Sequence, residues 1–348
     1  MHIIFHNNSR LSSIPVLLLL LCCWLQPGMA VSSSSQVQDY EIFVHTGKVR
    51  ETIEFFKSQN FWGPEKHNVD LDVPRIIMAV ASNRWQTESQ NIEVEIKKEF
   101  FYRAIVPMIL LSNELILKDR AELEAVSQQR NAGKDLPPDQ LARLNDLAEE
   151  YGLEETTDVD RLLAELLVHV DIIPPSLALG QAAYESGYGT SRFAREGNAL
   201  FGQWTYSGDG MKPKEHRASK GNYGVASYRW PFNSVRSYML NLNTHSAYQA
   251  LREKRAASRT QGKQSTGLEL AETMTEYSEK GAEYVENLKD IITVNNLAKL
   301  DEAYLRDEPV TLAVGVTSEQ EIAEVKSKIE ELRASGKLDR IVLEMDLK

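Results

Sequence analysis

Hydrophobic residues recur with helical spacing along most of this chain. "EVEIKKEFFYRAIVPMILLSNELILKDRAELEAV" predicts a long helix that Pro107 kinks, and "PPDQLARLNDLAEEYG" and "DVDRLLAELLVHVD" predict two amphipathic helices. "PPSLALGQAAYES" predicts another helix, which begins at its prolines and ends at Gly187. The pattern therefore predicts a mainly α fold.

The pattern changes after this helix and again near the end of the chain. In "GQWTYSGDGMKPKEHRASKGNYGVASYRW", "SGDG" predicts a turn and "VASYRW" alternates like a strand that places Ala226, Tyr228 and Trp230 on one face. These features predict a small β-hairpin lobe. At the C-terminus, "TSEQEIAEVKSKIEELRASG" predicts a helix and "RIVLEMDL" a strand, in a tail that docks on the rest of the molecule.

The first thirty residues have the pattern of a secretion signal. A polar start carrying Arg10 precedes the apolar run "IPVLLLLLCCWL", and Gly28 and Ala30 occupy the small-residue positions of a cleavage site. The alternative, a retained membrane anchor, is weakened because the apolar run is shorter than the ~20 residues that span a bilayer. We expect cleavage after residue 30, export across the inner membrane, and no stable membrane span afterwards.

Composition narrows the class of protein further. The chain has 348 residues and a net charge of −11, and both of its cysteines lie inside the predicted signal. A mature chain would have no disulfide and no thiolate metal site. Its acidity disfavours nucleic acid as a partner, and its scattered histidines lack the H-E-x-x-H spacing of a metal hydrolase, so we expect no metal and no cofactor.

Glu185 is the strongest candidate for chemistry. It lies at the predicted end of a helix, above Ala178, Gln181 and Ala182, and a Gly-x-Gly sequence follows it. The negative end of the helix dipole and an alanine wall that solvates a carboxylate poorly both predict a raised pKa, which a general acid requires. Nearby glycines and aromatic residues suggest a sugar site. The alternative is a solvated surface acid.

The string "LALGQAAYESGYGTSRFAREGNALFGQW" resembles bacterial peptidoglycan glucosaminidases, the family 73 glycoside hydrolases of the lysozyme superfamily. The resemblance continues through "YRWPFNSVRSYMLNLNTHSAY" and "LAETMTEYSEKGAEYVENLKDIITVNNLAKLD". "FFYRAIVPMILLSNELILKDR" and "NLNTHSAY" are similar to the Bax-type branch, in which a helical N-terminal region precedes the glucosaminidase domain. The resemblance implies a lysozyme-like catalytic domain.

The family's residues carry over by position. The resemblance implies that Glu185 is the general acid and that Tyr277 binds the sugar beside the scissile bond, although Tyr277 also shares a helix face with Leu270 and Met274, as a core residue would. Phe201 fits a core position. Asn198 matches the family's N-x-L-F-G motif, and we expect Asn198, Gln203, Trp204 and Tyr228 to bind the substrate.

The second catalytic acid has two candidates in the sequence. Glycoside hydrolases usually use two carboxylates, and in this family the partner lies in a β-hairpin, where this chain offers Asp209 and Glu215. Glu215 is the better candidate because Asp209 lies between two glycines, where a turn favours aspartate. Participation of the substrate's acetamido group, or a water activated by a less direct partner, remain alternatives.

These observations predict a signal in residues 1–30, a helical N-terminal region in 31–155, a catalytic domain in 156–305 and a helix–strand tail in 306–348. The predicted protein is a monomeric, periplasmic peptidoglycan hydrolase that binds glycan strands and cleaves the β-1,4 bond between N-acetylglucosamine and N-acetylmuramic acid. A lytic transglycosylase and a non-catalytic wall-binding or morphology factor are the rival functions.

Overall fold

Helices make up most of the described protein. The computed structural model describes residues 40–63, 71–78, 83–154, 156–206, 210–212, 223–316 and 318–338. The helices are α1 (Val49–Ser58), α2 (Asn83–Ser89), α3 (Val94–Asn131), α4 (Pro138–Glu150), α5 (Val159–His169), α6 (Pro175–Ser186), α7 (Arg192–Gly197), α8 (Pro231–Thr244), α9 (Gln249–Thr260), α10 (Gly267–Ala271), α11 (Ala282–Val294) and α12 (Glu321–Ala334). The strands are β1 (Tyr40–His45), β2 (Asp72–Val73), β3 (Ile76–Met78), β4 (Trp204–Thr205), β5 (Gly224–Val225), β6 (Tyr304–Leu305) and β7 (Val310–Gly315). The predicted mainly α class is confirmed, while the predicted signal and the strand "RIVLEMDL" lie outside the described residues.

Helix α3 runs through two apolar clusters. Residues 101–113 of its first half are all buried, and Pro107 lies inside the helix. Its second half packs against α4 and α5 through a separate cluster that includes Leu123, Leu147 and Leu166. By length and composition α3 could cross a membrane, but 72% of its most apolar window is buried inside the protein. Its apolar side chains therefore contact the rest of the fold.

A three-stranded parallel sheet joins the two ends of the described chain. Strand β7 lies in the middle, with β1 on one side and β3 on the other, and Tyr40–His45 pairs in register with Val310–Gly315. The hydrophobic pattern did not predict these strands. The tail does dock as predicted, because β7 completes this sheet and α12 packs against β1.

Helix α6 is buried along nearly its whole length. It begins at Pro175, and Gly187 follows its end in the left-handed conformation with φ of 57°, as the sequence predicts. It packs against α3, α10 and α11. Only Tyr184 and Glu185 of this helix are partly exposed. The fold thus surrounds α6 and opens at its C-terminal end.

The described part of the β-lobe has one short antiparallel pair. Strands β4 and β5 form an antiparallel pair, and Met211 adds an isolated bridge to Val225. The predicted strand "VASYRW" is wrong beyond Val225. The N–H of Ala226 still bonds to the Gln203 carbonyl beside the β4–β5 pair, but the N–H of Tyr228 bonds to the Gly197 carbonyl, outside the pair. The segment therefore leaves the hairpin and enters α8.

Candidate active site

Glu185 lies where α6 opens to the surface. Burial raises the pKa of its carboxyl group above the ordinary value, and a hydrogen bond from the Tyr284 hydroxyl opposes this shift without cancelling it. Ala178 and Ala182, on the turns below, are fully buried and present no polar group to the carboxyl. The predicted rise in pKa is therefore confirmed, and it keeps the carboxyl protonated at a higher pH than that of an exposed glutamate.

The backbone after Phe201 passes beside this carboxyl group. Gly202 has a φ of 62°, and a Cβ atom built on it would lie 3.9 Å from Glu185 Oε2. Phe201 is buried and stacks on Tyr238 with ring centroids 3.9 Å apart, as expected for a core residue. A glycine at position 202 leaves the space in front of the carboxyl clear of a side chain.

A buried chain of hydrogen bonds ends at Glu185. The Tyr238 hydroxyl donates to Gln181 Oε1 over 2.5 Å, and Gln181 Nε2 donates to the Tyr284 hydroxyl oxygen over 2.9 Å. Because that oxygen already accepts from Gln181, the proton of Tyr284 is free to point at Glu185. All three partners are fully buried. The hydrogen bonds to Gln181 therefore leave the Tyr284 proton available to Glu185.

Four tyrosines surround Glu185. The Glu185 charge contributes to a raised pKa at Tyr238, Tyr248, Tyr277 and Tyr284, after the larger effect of burial. Of this tyrosine cluster the sequence reading identified only Tyr277. The other three were missed because tyrosines at helical spacing resemble core residues.

One signal for the missed residues was present in the sequence. Tyr284, Leu288 and Ile292 share the buried face of α11, and Gln181 lies on the buried face of α6. A buried glutamine and a buried phenol both require hydrogen-bond partners. Because Gln181 and Tyr284 are polar residues on otherwise apolar helix faces, their presence predicts that they form a hydrogen bond with each other.

Tyr277 lies within the cluster, on the short 3₁₀-helix Met274–Tyr277. Its ring stacks on Tyr284 with centroids 5.5 Å apart, and its hydroxyl donates to the Phe201 carbonyl over 3.0 Å. The hydroxyl is therefore held beside Gly202, and the ring forms part of the wall near Glu185. Its role in sugar binding stays a prediction.

Asn198 is bound to the backbone of a neighbouring segment. It adopts a left-handed conformation at the end of α7, and its Nδ2 donates to the carbonyls of Tyr228 and Arg229, each over 3.0 Å. These bonds hold the chain between β5 and α8 in place. The described geometry thus gives Asn198 a positioning function, and direct contact with substrate stays a prediction.

Gln203 and Tyr228 bind each other. The Tyr228 hydroxyl donates to Gln203 Oε1 over 2.8 Å, and Gln203 Nε2 donates to the Ser237 carbonyl over 3.3 Å. Trp204 differs from both, because 56% of its side chain is exposed and its ring packs at a tilt against Tyr223. Trp204 is therefore the predicted residue with the most surface available for stacking on a sugar.

Glu215 and Asp209 both lie outside the described residues. Within the described part of the chain, the causes of the pKa shift at Glu185 are burial and the Tyr284 hydroxyl, and neither is a second carboxylate. The same described residues contain no group of three or more histidine, aspartate, glutamate or cysteine side chains able to hold a metal ion.

Comparison with known proteins assigns this region to a family. Residues 163–297 match the glucosaminidase family profile, described as mannosyl-glycoprotein endo-β-N-acetylglucosaminidase, and they contain Glu185 and the whole tyrosine cluster. These residues are a glucosaminidase-family domain. The resemblance derived from the motifs is thereby confirmed.

The chain that carries this glucosaminidase domain is also similar to protein Bax of Escherichia coli strain K12. The two are 34% identical over 189 residues, which is 54% of this chain and 66% of Bax, just under two thirds of that relative. No solved structure matches the chain significantly.

Removing the Tyr284 hydroxyl from the glucosaminidase domain is expected to shift its pH profile. The hydrogen bond lowers the pKa of Glu185, so Tyr284→Phe raises that pKa further. A general acid is active while protonated, so the decline of kcat/KM at high pH should move to higher pH. A hydrogen bond to a charged group contributes ~1.5–3 kcal/mol, which corresponds to a shift of about one pH unit or more. The measurement is the pH dependence of kcat/KM.

Tyr248→Phe is the matched control for this experiment. Tyr248 also lies near Glu185, but its hydroxyl bonds to Asn241 instead. We expect this variant to keep the wild-type position of the high-pH limb. A Tyr284→Phe profile that stays in place or moves to lower pH would contradict the assigned hydrogen bond.

Proposed function

We propose that the protein is a peptidoglycan hydrolase, an endo-β-N-acetylglucosaminidase that cleaves the β-1,4 bond between N-acetylglucosamine and N-acetylmuramic acid. One observation carries the proposal: Glu185, with its raised pKa, lies at the open end of a buried helix within a glucosaminidase-family domain. A carboxyl group that retains its proton in a cleft is suited to protonate a leaving glycosidic oxygen.

The direction of the hydrogen bonds from Tyr238 through Gln181 and Tyr284 supports the role of Glu185 as general acid. As Glu185 gives its proton to the glycosidic oxygen, the bond from that oxygen to the sugar C1 breaks and Glu185 becomes a carboxylate. Tyr284 donates to Glu185 and cannot reverse easily, because its oxygen accepts from Gln181. The hydrogen bond therefore strengthens as negative charge develops, which is the condition for lowering the barrier.

The remaining parts of the mechanism follow from the same resemblance. We propose Glu215 as the second acid, with Asp209 or the substrate's own acetamido group as the alternatives to be tested. Tyr277, Asn198, Gln203, Trp204 and Tyr228 are the proposed contributors to the sugar site. Exposed aromatic rings such as those of Trp204 and Tyr206 offer flat surfaces to the apolar faces of a sugar.

The proposed substrate also defines a location. Peptidoglycan lies outside the inner membrane, so we propose that residues 1–30 direct export and that the mature enzyme acts in the periplasm as a monomer on glycan strands. The proposed domain limits are 31–155 for the N-terminal region, 156–305 for the catalytic domain and 306–348 for the tail.

Mass spectrometry of digested peptidoglycan tests this function. Purified peptidoglycan is incubated with residues 31–348, as wild type and as Glu215→Gln, and the ends of the released fragments are identified. Reducing N-acetylglucosamine ends are the expected product. Anhydro ends would show a lytic transglycosylase, and no release would favour a wall-binding factor. Loss of release in Glu215→Gln would support the second acid.

A further inference from the structure

A small cavity lies behind the turn that follows Glu185. Its volume is about 80 Å³, and its wall is mainly apolar, formed by residues that include Met78, Trp85, Phe101, Met108 and Leu200. One water molecule needs about 10 to 15 Å³ of such space, so the cavity has room for a small molecule of several heavy atoms. Glu185 does not line it, so the cavity is separate from the proposed active site.

The N-terminal region and the turn that follows Glu185 meet at this cavity. Gly189 lines it, and a Cβ atom at Gly189 would lie 3.1 Å from Trp85 Nε1. The same indole nitrogen donates to the carbonyl of Tyr188 over 3.0 Å. Trp85 therefore contacts the turn on one side and the cavity on the other.

Two buried nitrogen atoms of the lining side chains have no hydrogen-bond partner among the residues that the structure describes. They are His45 Nε2 and Arg195 Nε. His45 is 5% exposed, and its Nδ1 accepts the N–H of Gly47 over 3.1 Å. Burial lowers the pKa of His45 and keeps the ring neutral, so its single proton lies on Nε2. Both free atoms are therefore donors.

We propose that this cavity is a binding site for a small monocarboxylate with a short apolar tail, such as acetate, propionate or butyrate. The carboxylate accepts from His45 Nε2 and Arg195 Nε, and the tail packs against Trp85, Phe101 and Met108. The proposal does not depend on the hydrolase activity.

A carboxylate suits these donors better than water does. A water molecule in an apolar space needs two to four polar partners, including acceptors for its own hydrogens. A carboxylate has no hydrogen to place, accepts from both nitrogens, and adds to the long ion pair of Arg195, whose Nη2 lies 3.9 Å from Glu196 Oε1. Leaving the donors of His45 and Arg195 unpaired while buried would cost stability, which an acceptor in the cavity would restore.

Calorimetric titration of the full chain with sodium propionate at constant ionic strength tests the site. We expect saturable binding of one equivalent, with propionamide binding about tenfold more weakly or worse, because the amide loses the charge and adds hydrogens that need acceptors. Binding should be unchanged in Glu185→Gln, which separates this site from the proposed active site.

Variants of the lining residues complete the test. His45→Phe keeps an aromatic ring to stack on Phe43, and Arg195→Met keeps the length of the side chain; each should weaken propionate binding by about tenfold or more. Thr52→Val is the matched control, because the Thr52 hydroxyl already donates to the Lys48 carbonyl. It should bind propionate as the wild type does. Circular dichroism checks that each variant folds.

Three results would overturn the proposal. The first is the absence of saturable binding, which would mean that the cavity holds only water. The second is equal affinity for propionate and propionamide. The third is unchanged affinity for propionate in both His45→Phe and Arg195→Met.

Discussion

Replacing Glu185 with glutamine is expected to lower kcat on peptidoglycan by about 10²- to 10⁴-fold, the usual contribution of general acid catalysis. Glutamine has nearly the same volume, and its carbonyl oxygen still accepts from Tyr284, so the site keeps its shape. The amide has no acidic proton to give to the leaving oxygen, and KM should therefore change far less than kcat. The measurement is the rate of release of reducing ends.

Glu276→Gln makes the same chemical change one residue before Tyr277. Glu276 is exposed, and its replacement should leave the rate close to that of wild type. A Glu185→Gln enzyme that retains more than about one tenth of the wild-type rate would contradict the role of Glu185 as general acid. Equal losses in the two variants would point to a general effect of lost charge.

The helix that carries Glu185 was predictable because its signals are local. Proline in the first turn and a glycine in the left-handed conformation at the end act within a few residues. The raised pKa was also predictable, since Ala178 and Ala182 occupy the turns directly below the acid. Neighbouring residues of one helix share a face, and periodicity alone identifies them.

The parallel sheet was not predictable from the same patterns. β1 and β7 are separated by more than 260 residues, and β3 is only three residues long, too short for an alternating pattern. Pairing over such a distance depends on how the intervening helices pack, which no local signal reports. The predicted strand "VASYRW" failed for the related reason that the N–H of Tyr228 bonds to the carbonyl of Gly197, at the end of α7 and outside the β4–β5 pair.

The site was predictable only in part for a similar reason. Motif resemblance identified Glu185 and Tyr277, yet the donor to Glu185 is Tyr284, which comes from α11. Which tyrosine reaches the acid is decided by the packing of α6 on α11, where Gly180 allows the approach of Leu288 and Ile292. Resemblance to a family identifies the residues of a motif, but only the structure shows which residues of two packed helices are in contact.

A buried charge cluster holds the chain just before α6. Asp171 is 1% exposed and binds Arg259 through both carboxylate oxygens. Arg255 Nε and Arg120 Nη1 lie 3.6 Å and 3.5 Å from Asp171 Oδ2. Arg255 also donates to the carbonyls of Asp171 and Ile172. The cluster thereby connects α3 and α9 to the segment that leads into α6.

Asp171→Asn is expected to reduce the free energy of unfolding by about 3 to 5 kcal/mol, because it removes the buried negative charge that three arginines share and leaves buried Arg255 uncompensated. Denaturant unfolding at pH 7 measures the change. Asp160→Asn is the matched control. Asp160 pairs with Arg130 at the surface, where solvent screens the interaction, so the transition midpoint should hardly move.

The pH dependence of the Asp171→Asn effect separates charge from packing. Burial alone would raise the pKa of Asp171, but the hydrogen bond from Arg259 and the charges of Arg255 and Arg120 hold it below the ordinary value. A carboxyl with a depressed pKa stabilises the fold above its unfolded pKa of about 3.9, and this contribution is lost as the pH falls through the lower folded value. The stability difference between wild type and Asp171→Asn should therefore be full at pH 7 and shrink below about pH 4. A difference that stays constant down to pH 2 would mean that the variant is destabilised by altered packing, and the charge cluster would then not be what anchors α6.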